Sequence, residues 1–327
     1  MPDRFRRGGS LGLRLLVSAV LLTVVFLYID LGELMRAVED GQWGWLLPAL
    51  ALVMLATVPG AARWRLILQK AEIEVSGVQA VKTFAASLVL NNVLPTSVGG
   101  DAVRAWSVGR ASGRLLRAAL STVLDRATAV ACLFLLAWTA LAVDADEVPA
   151  VLVSVLLWLT LGLAAVTAVA ALVAAGIRPV VRRIPRRIAM MLREAWATLR
   201  MWGRSRSLIS WLLVLGVLYQ LLAVLALVLV GRVARVDLSF SLAAVTAAIV
   251  VVAMLVPISV GGLGLREGGF VLLLGEAGVD GSEAALISLL SAATIVLASA
   301  AVVAMVALYE LVGRTGQRQS MPREPTP

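Results

Sequence analysis

Six ionisable side chains lie inside or beside apolar runs of the sequence: Asp101, Arg104, Asp125, Arg126, Arg266 and Glu267. Held in a bilayer, each costs at least ~2.5–3.5 kcal/mol at mid-helix on insertion scales, so such residues are candidates for function. Their types point to anion handling, because a guanidinium presents a planar fork of donors that fits phosphate or carboxylate. Asp125 and Arg126 sit about eight residues into the run 117–143 and are roughly 100° apart on a helix, so they cannot share one partner. Asp125 is expected to pair with Arg104 or Arg266, and Arg126 to face a cavity or an acidic partner. Three acids against three bases form a closed, neutral network, and an anionic headgroup competing for the arginines would couple binding to opening. For Arg104 and Asp101, snorkelling to an interface is the competing reading.

The charges gather around two stretches that resemble each other. Residues 94–104 (Leu-Pro-Thr-Ser-Val-Gly-Gly-Asp-Ala-Val-Arg) align without gaps on residues 256–266 (Val-Pro-Ile-Ser-Val-Gly-Gly-Leu-Gly-Leu-Arg), and six of the eleven positions are identical. Pro95 and Pro257 remove a backbone donor and break their helices; the pairs Gly99-Gly100 and Gly261-Gly262 let the chain turn at positive φ. N–H groups at each restarted helix would present a positive dipole end suited to phosphate or carboxylate. Paired Gly/Pro-interrupted segments in two halves of a membrane chain point to a transporter's central site. Chance likeness among common membrane residues, or two tight loops that only pack helices together, are the plainer readings. Asn91 and Asn92 offer uncharged donors and acceptors beside the first turn, or else cap a helix end. The run Gly262-Leu-Gly264-Leu-Arg-Glu-Gly268 resembles a dinucleotide fingerprint only superficially: its last glycine is one residue too far along and no strand precedes it.

Other chemistries are excluded by what the sequence lacks. With no histidine there is no Ser-His-Asp or Cys-His catalysis and no histidine-ligated metal. The one cysteine, Cys132, lies in an apolar run, which leaves neither a disulfide framework nor a thiolate cluster. A Walker motif is absent. Acidic pairs could in principle hold Mg²⁺, but each acid is shadowed by a neighbouring arginine, so no cofactor is expected. The chain therefore reads as a binder and mover rather than an enzyme.

The elements that must position these groups are membrane helices. Of the 327 residues 61% are hydrophobic and only 15% charged, with a mean hydropathy of +0.95; a soluble domain has about 45–50% apolar residues and about 25% charged ones. Six runs are long enough to span a bilayer, Leu11–Ile29, Gly44–Ala62, Arg117–Val143, Ala150–Ala175, Leu208–Gly231 and Ala284–Leu311. Leu11–Ile29 lacks a cleavage site and reads as a retained first helix. Thr83–Leu94 is too short to span, and Leu238–Val256 is followed by Pro257, a double glycine and the short run Phe270–Leu274; both fit re-entrant or broken segments.

The net charge of +9 does not mark a nucleic-acid binder, because the basic residues fall in bursts between apolar runs. With the N-terminus in the cytoplasm, the inner segments hold 23 of the 29 Lys and Arg and the outer loops three. That assignment requires the two broken segments to dip into the bilayer from opposite faces, an inverted pseudo-repeat. The expected fold class is all-α: a polytopic membrane domain over residues 1–312, with an amphipathic cytoplasmic helix near 186–202 suited to anionic lipid, and a disordered cytoplasmic tail, 313–327.

The string Asn92-Val-Leu-Pro95-Thr-Ser-Val-Gly99-Gly100-Asp101-Ala-Val-Arg104, Asp125-Arg126 some twenty residues on, and Pro257-Ile-Ser-Val-Gly261-Gly262-Leu-Gly264-Leu-Arg266-Glu267 resemble the lysylphosphatidylglycerol synthase/flippase transmembrane family, the membrane portion of the multiple peptide resistance factor. The resemblance covers nearly the whole chain. It implies a bacterial or archaeal inner-membrane protein that moves aminoacylated or glycosylated lipids between leaflets. Its partner would then be a phospholipid, or a polyprenyl or glycolipid headgroup, held by the residues just quoted. The full-length synthases carry a soluble aminoacyl-transferase domain after the membrane region; only a short tail follows here, so the chain is not expected to make the aminoacylated lipid itself. The alternative is a non-transporting partner or scaffold of a separate glycosyl- or aminoacyl-transferase.

Overall fold

A computed structural model describes residues 31–94, 96–180, 186–255, 262 and 264–319. The expected first span, Leu11–Ile29, and the site candidates Pro95, Pro257 and Gly261 lie outside them, as does the end of the tail. The described residues form eleven α-helices and no strand: α1 (Leu31–Glu39), α2 (Leu46–Lys70), α3 (Gly77–Val93), α4 (Gly99–Ser112), α5 (Leu115–Val143), α6 (Ala150–Val180), α7 (Arg186–Arg204), α8 (Arg206–Val233), α9 (Phe240–Leu255), α10 (Leu265–Gly275) and α11 (Gly281–Gln319). Five of them, α2, α5, α6, α8 and α11, are long and apolar enough to cross a membrane, and they correspond to five of the six expected spans.

α2 departs most from its expected limits. No proline or glycine follows Gly60 before the helix closes at Ala71, so nothing stops it at Ala62. It runs on for two further turns and carries Arg63 into the protein interior, where the side chain is 1% exposed. The sequence placed Arg63 among the cytoplasmic residues; it is a core residue instead. Removing it and Arg104, which is buried as well, leaves 21 inner residues against three outer ones, so the asymmetry stands.

The two short stretches are helix pairs, not single dips. α3 starts well before Thr83, where the Ser76 hydroxyl accepts from the Gln79 N–H at 3.2 Å, and returns through a turn into α4. α9 and α10 likewise pack against each other as a pair. At ~1.5 Å per residue the four arms measure only about 16–26 Å, short of the ~30 Å hydrocarbon layer. α11 shows how the pairs are placed. Near its N-terminal end Ala285 packs on Val271 of α10, while near its other end Glu310 accepts from the Lys82 ammonium of α3 at 2.6 Å. The two pairs thus approach from opposite ends of one spanning helix, as the charge asymmetry required.

The largest apolar core joins α5, α6, α8, α9, α10 and α11; a second gathers Trp64, Ile67, Leu68, Phe84, Leu208 and Trp202. Trp202 belongs to α7, whose apolar face was expected on lipid. Trp202 is buried in protein, whereas Met191 and Leu199 of the same face are exposed.

At the ends of α2 and α5 an ion cluster ties three elements together. Glu72 accepts from Arg114 at 2.8 Å and from Arg117 at 2.7 Å, and Arg117 also donates to Glu194 of α7 at 3.1 Å. The hydrogen bond from Arg117, with the charges of Arg114 and Arg117, holds the Glu72 carboxyl below its ordinary value. A lowered folded-state value stabilises above the ordinary carboxylate range, and the contribution is lost as pH falls through the folded value. Thermal unfolding of the wild type should therefore become more acid-sensitive than that of Glu72→Gln below about pH 4.3. The difference should be small, because the group is exposed; parallel curves would show that the cluster contributes nothing.

Candidate functional site

Five charges alternate through the interior between α2, α4 and α5. Arg63 Nε donates to Asp125 Oδ1 at 2.8 Å, and Arg104 Nη2 donates to Asp125 Oδ2 and to Asp101 Oδ1, both at 3.1 Å. Arg126 then closes on Asp101 Oδ2, with Nη2 at 2.7 Å and Nε at 2.8 Å. Its Nη2 also donates to the Ser97 carbonyl at 2.9 Å. Asp125 indeed pairs with Arg104, and Arg126 has an acidic partner and a cavity beside it. Asp125 does not pair with Arg266. Its second partner is Arg63, a residue missed because the span was ended one residue too early; the uninterrupted helix signal through Lys70 would have found it.

Burial separates the members of this chain. Arg63, Arg104 and Asp125 are nearly inaccessible, at 1%, 2% and 4% side-chain exposure, while Arg126 keeps 32%. Arg104 is not at an interface: its guanidinium stacks on Trp64 at 4.6 Å and on Phe84 at 5.1 Å. Arg63 sits 5.5 Å from the Tyr219 ring centre. Both keep buried N–H groups without a hydrogen-bond partner, Nη1 of Arg63 and Nε and Nη1 of Arg104. The ring faces compensate part of that loss.

The second helix pair supplies a separate group. Arg266 donates to Glu267 at 2.7 Å and to Asn92 Oδ1 at 3.1 Å, which links α10 to the end of α3. The tips of the two pairs also meet where the Ser97 hydroxyl donates to the Met254 carbonyl at 2.7 Å. Asn92 is therefore a bridge, whereas Asn91 is a cap, its Oδ1 accepting from the Asp101 N–H at 3.3 Å.

The glycines do different work in the two halves. Gly262 and Gly264 have φ of +80° and +79°, but Gly99 and Gly100 are helical and open α4. Gly100 is needed for proximity instead: a Cβ there would run into the Ser87 carbonyl of α3, with the Asn91 nitrogen 2.9 Å away. The helices consequently start four residues out of step, α4 at Gly99 and α10 at Leu265, the partner of Val103. Ala102-Val103 can continue a helix where Gly264, at a φ of +79°, turns, so the aligned Arg104 and Arg266 occupy different turns. Arg104 ends up behind the site and Arg266 in it.

Open helix ends were expected to receive an anion, and they are already filled. At α10 the Gly264 N–H donates to Glu267 Oε2 at 2.7 Å; at α4 the Asn91 amide takes that place. Donors for an exogenous anion come from arginine side chains.

A cavity of about 270 Å³ lies at the tip contact. Its polar lining includes Arg126, Arg266, Asn91, Asn92, Ser97 and Gln220, and aliphatic side chains of α2, α8, α9 and α11 complete a mostly apolar wall. Arg104, Asp101, Asp125, Glu267, Gly99, Gly100 and Gly262 do not line it; they stand one layer behind. Gln220, not foreseen, is fixed by donating to the Ala129 carbonyl at 2.7 Å.

No curated protein and no solved structure matches the chain. A family model, the lysylphosphatidylglycerol synthase TM region, matches residues 12–306. That span takes in both helix pairs, the alternating charges and the cavity, and sets the protein in a membrane-lipid context. The chain belongs to the family of the lysylphosphatidylglycerol synthase transmembrane region.

Proposed function

We propose that this protein is a flippase-like transporter that moves an anionic or modified lipid between leaflets of a bacterial or archaeal cytoplasmic membrane, with both termini in the cytoplasm. What carries the reading is that two arginines from different parts of the fold, Arg126 of the spanning helix α5 and Arg266 of the second helix pair, enter one cavity with a mostly apolar wall. A headgroup phosphate between them would accept from both guanidiniums, while acyl chains stay with the aliphatic lining and the bilayer.

The same arginines hold the first tip in place, one from α5 and one from the second pair. Arg126 donates to Ser97 and Asp101 of the first pair, and Arg266 to Asn92 across the junction. A phosphate that draws on these donors weakens the links of the first tip to α5 and to the second pair, so binding favours its release by its differential affinity for the two states. No bond of the lipid is made or broken in this scheme, and no catalytic residue is assigned.

Flipping of a labelled anionic phospholipid in proteoliposomes tests it. Each charge-assisted hydrogen bond is worth about 1.5–3 kcal/mol, so Arg126→Ala and Arg266→Ala should each slow flipping by roughly tenfold or more. Absence of flipping by the wild type, or a wild-type rate in the double variant, overturns the proposal.

A further inference from the structure

The alternating chain ends in arginine at both ends: Arg63, Asp125, Arg104, Asp101, Arg126. An odd chain of this kind cannot neutralise itself. Arg266 and Glu267 cancel as a separate pair, so among the described residues four arginines face three carboxylates and one positive charge is left over. Arginine cannot discard it by losing a proton. Of the chain's three arginines, two are sealed in the core, and only Arg126 reaches the cavity.

We infer that Arg63, although it touches no ligand, sets the charge of this site, and that the site therefore takes a lipid whose headgroup carries one net negative charge, a phosphodiester without a compensating cation. The inference rests on the transport reading above and narrows its substrate. One negative charge balances the surplus. A zwitterionic headgroup leaves the surplus unbalanced, and a phosphomonoester dianion reverses it, each leaving a net charge in a low-dielectric site. The apolar wall of the cavity gives acyl chains a place that a free phosphodiester would not use. Arg63 is thus a specificity-setting residue acting through Asp125 and Arg104.

The test is calorimetric titration of the full chain in uncharged detergent with short-chain lipids. The probes are phosphatidylglycerol (one negative charge), phosphatidylcholine (net zero) and phosphatidate at about pH 9, where the phosphomonoester is doubly ionised. Wild type should bind phosphatidylglycerol more tightly than either of the others, on the order of tenfold, the size of one charge acting at roughly 10 Å through an effective dielectric constant of about 20. Dimethyl phosphate, the same charge without acyl chains, should bind at least tenfold more weakly than phosphatidylglycerol; equal binding overturns the assignment to a lipid.

Arg63→Gln brings the sum to zero and should abolish the preference over phosphatidylcholine. Adding Asp125→Asn to it restores the surplus and should restore the preference, which a merely structural role for Arg63 would not do. The Arg63→Gln, Asp125→Asn protein also serves if the single variant does not fold: failure of this folded double variant to prefer phosphatidylglycerol overturns the inference. A preference that survives in Arg63→Gln, or wild-type binding of phosphatidate as tight as that of phosphatidylglycerol, does so too. If wild type shows no preference for anionic over zwitterionic lipid, the inference falls, whereas the transport reading falls only if the wild type fails to flip lipid in proteoliposomes.

Discussion

Asp125→Ala should lower the stability of the purified protein by about 3–5 kcal/mol, the cost typical of stripping one partner from a buried ion pair. The carboxylate is 4% exposed and accepts from two guanidiniums that have no other route to water, Arg63 at 1% and Arg104 at 2% exposure. Among the described residues both already hold unpartnered N–H groups, and the loss would leave Arg63 without a carboxylate partner and Arg104 with Asp101 alone. Removing Arg63 and Asp125 together, as Arg63→Met, Asp125→Leu, should be far milder than the single change, because charge and countercharge leave together. Reversible denaturant unfolding in detergent reads the difference. A loss below about 1 kcal/mol for Asp125→Ala would mean that water reaches the guanidiniums and that the chain of charges is not a buried network.

Gly100→Val should cost the upper part of the ~1–3 kcal/mol typical of overpacking, and should reach the cavity as well. The added carbons meet the Ser87 carbonyl and the Asn91 backbone, neither of which can yield without parting α3 from α4. The tip carries Ser97, so the hydrogen bonds of its hydroxyl to Met254 and its carbonyl to Arg126 should be lost with it. Gly162→Ala is the control: nothing lies within 4 Å of its added Cβ on α6, and alanine is the better helix former. Equal stability of the Gly100 and Gly162 variants would refute the close approach of the two arms.

What could be read from the residues follows from which forces act locally. Apolar runs of spanning length give their helices away, because the bilayer fixes the length and demands internal backbone pairing. Arginine-rich bursts gave the relative placement of the two broken pairs, which α11 bears out through Ala285 and Glu310. The pairing of Asp125 with Arg104 was legible too, since an isolated carboxylate in an apolar run must find a cation. Less legible was register. Arg63 was set aside because hydropathy falls at a charge even where the helix does not stop, and Trp64 and Tyr219 were unremarked apolar residues until their faces met guanidiniums. The alignment of residues 94–104 with 256–266 correctly joined two broken helix pairs but suggested like roles for Arg104 and Arg266. A four-residue difference in helix start, decided by Gly264 against Ala102-Val103, gave those two arginines different depths.

The meeting of the two tips has an electrical consequence. Neither helix pair is long enough to cross the bilayer alone, and their tips meet between Ser97 and Met254 and between Asn92 and Arg266. Were water to reach that contact from both sides, a membrane voltage would fall mainly across a short septum, with a field steeper than in the surrounding lipid. A singly charged headgroup carried through it exchanges about 2.3 kcal/mol with the membrane for every 100 mV. In the transport proposed above, the resting potential would then by itself give the movement its direction.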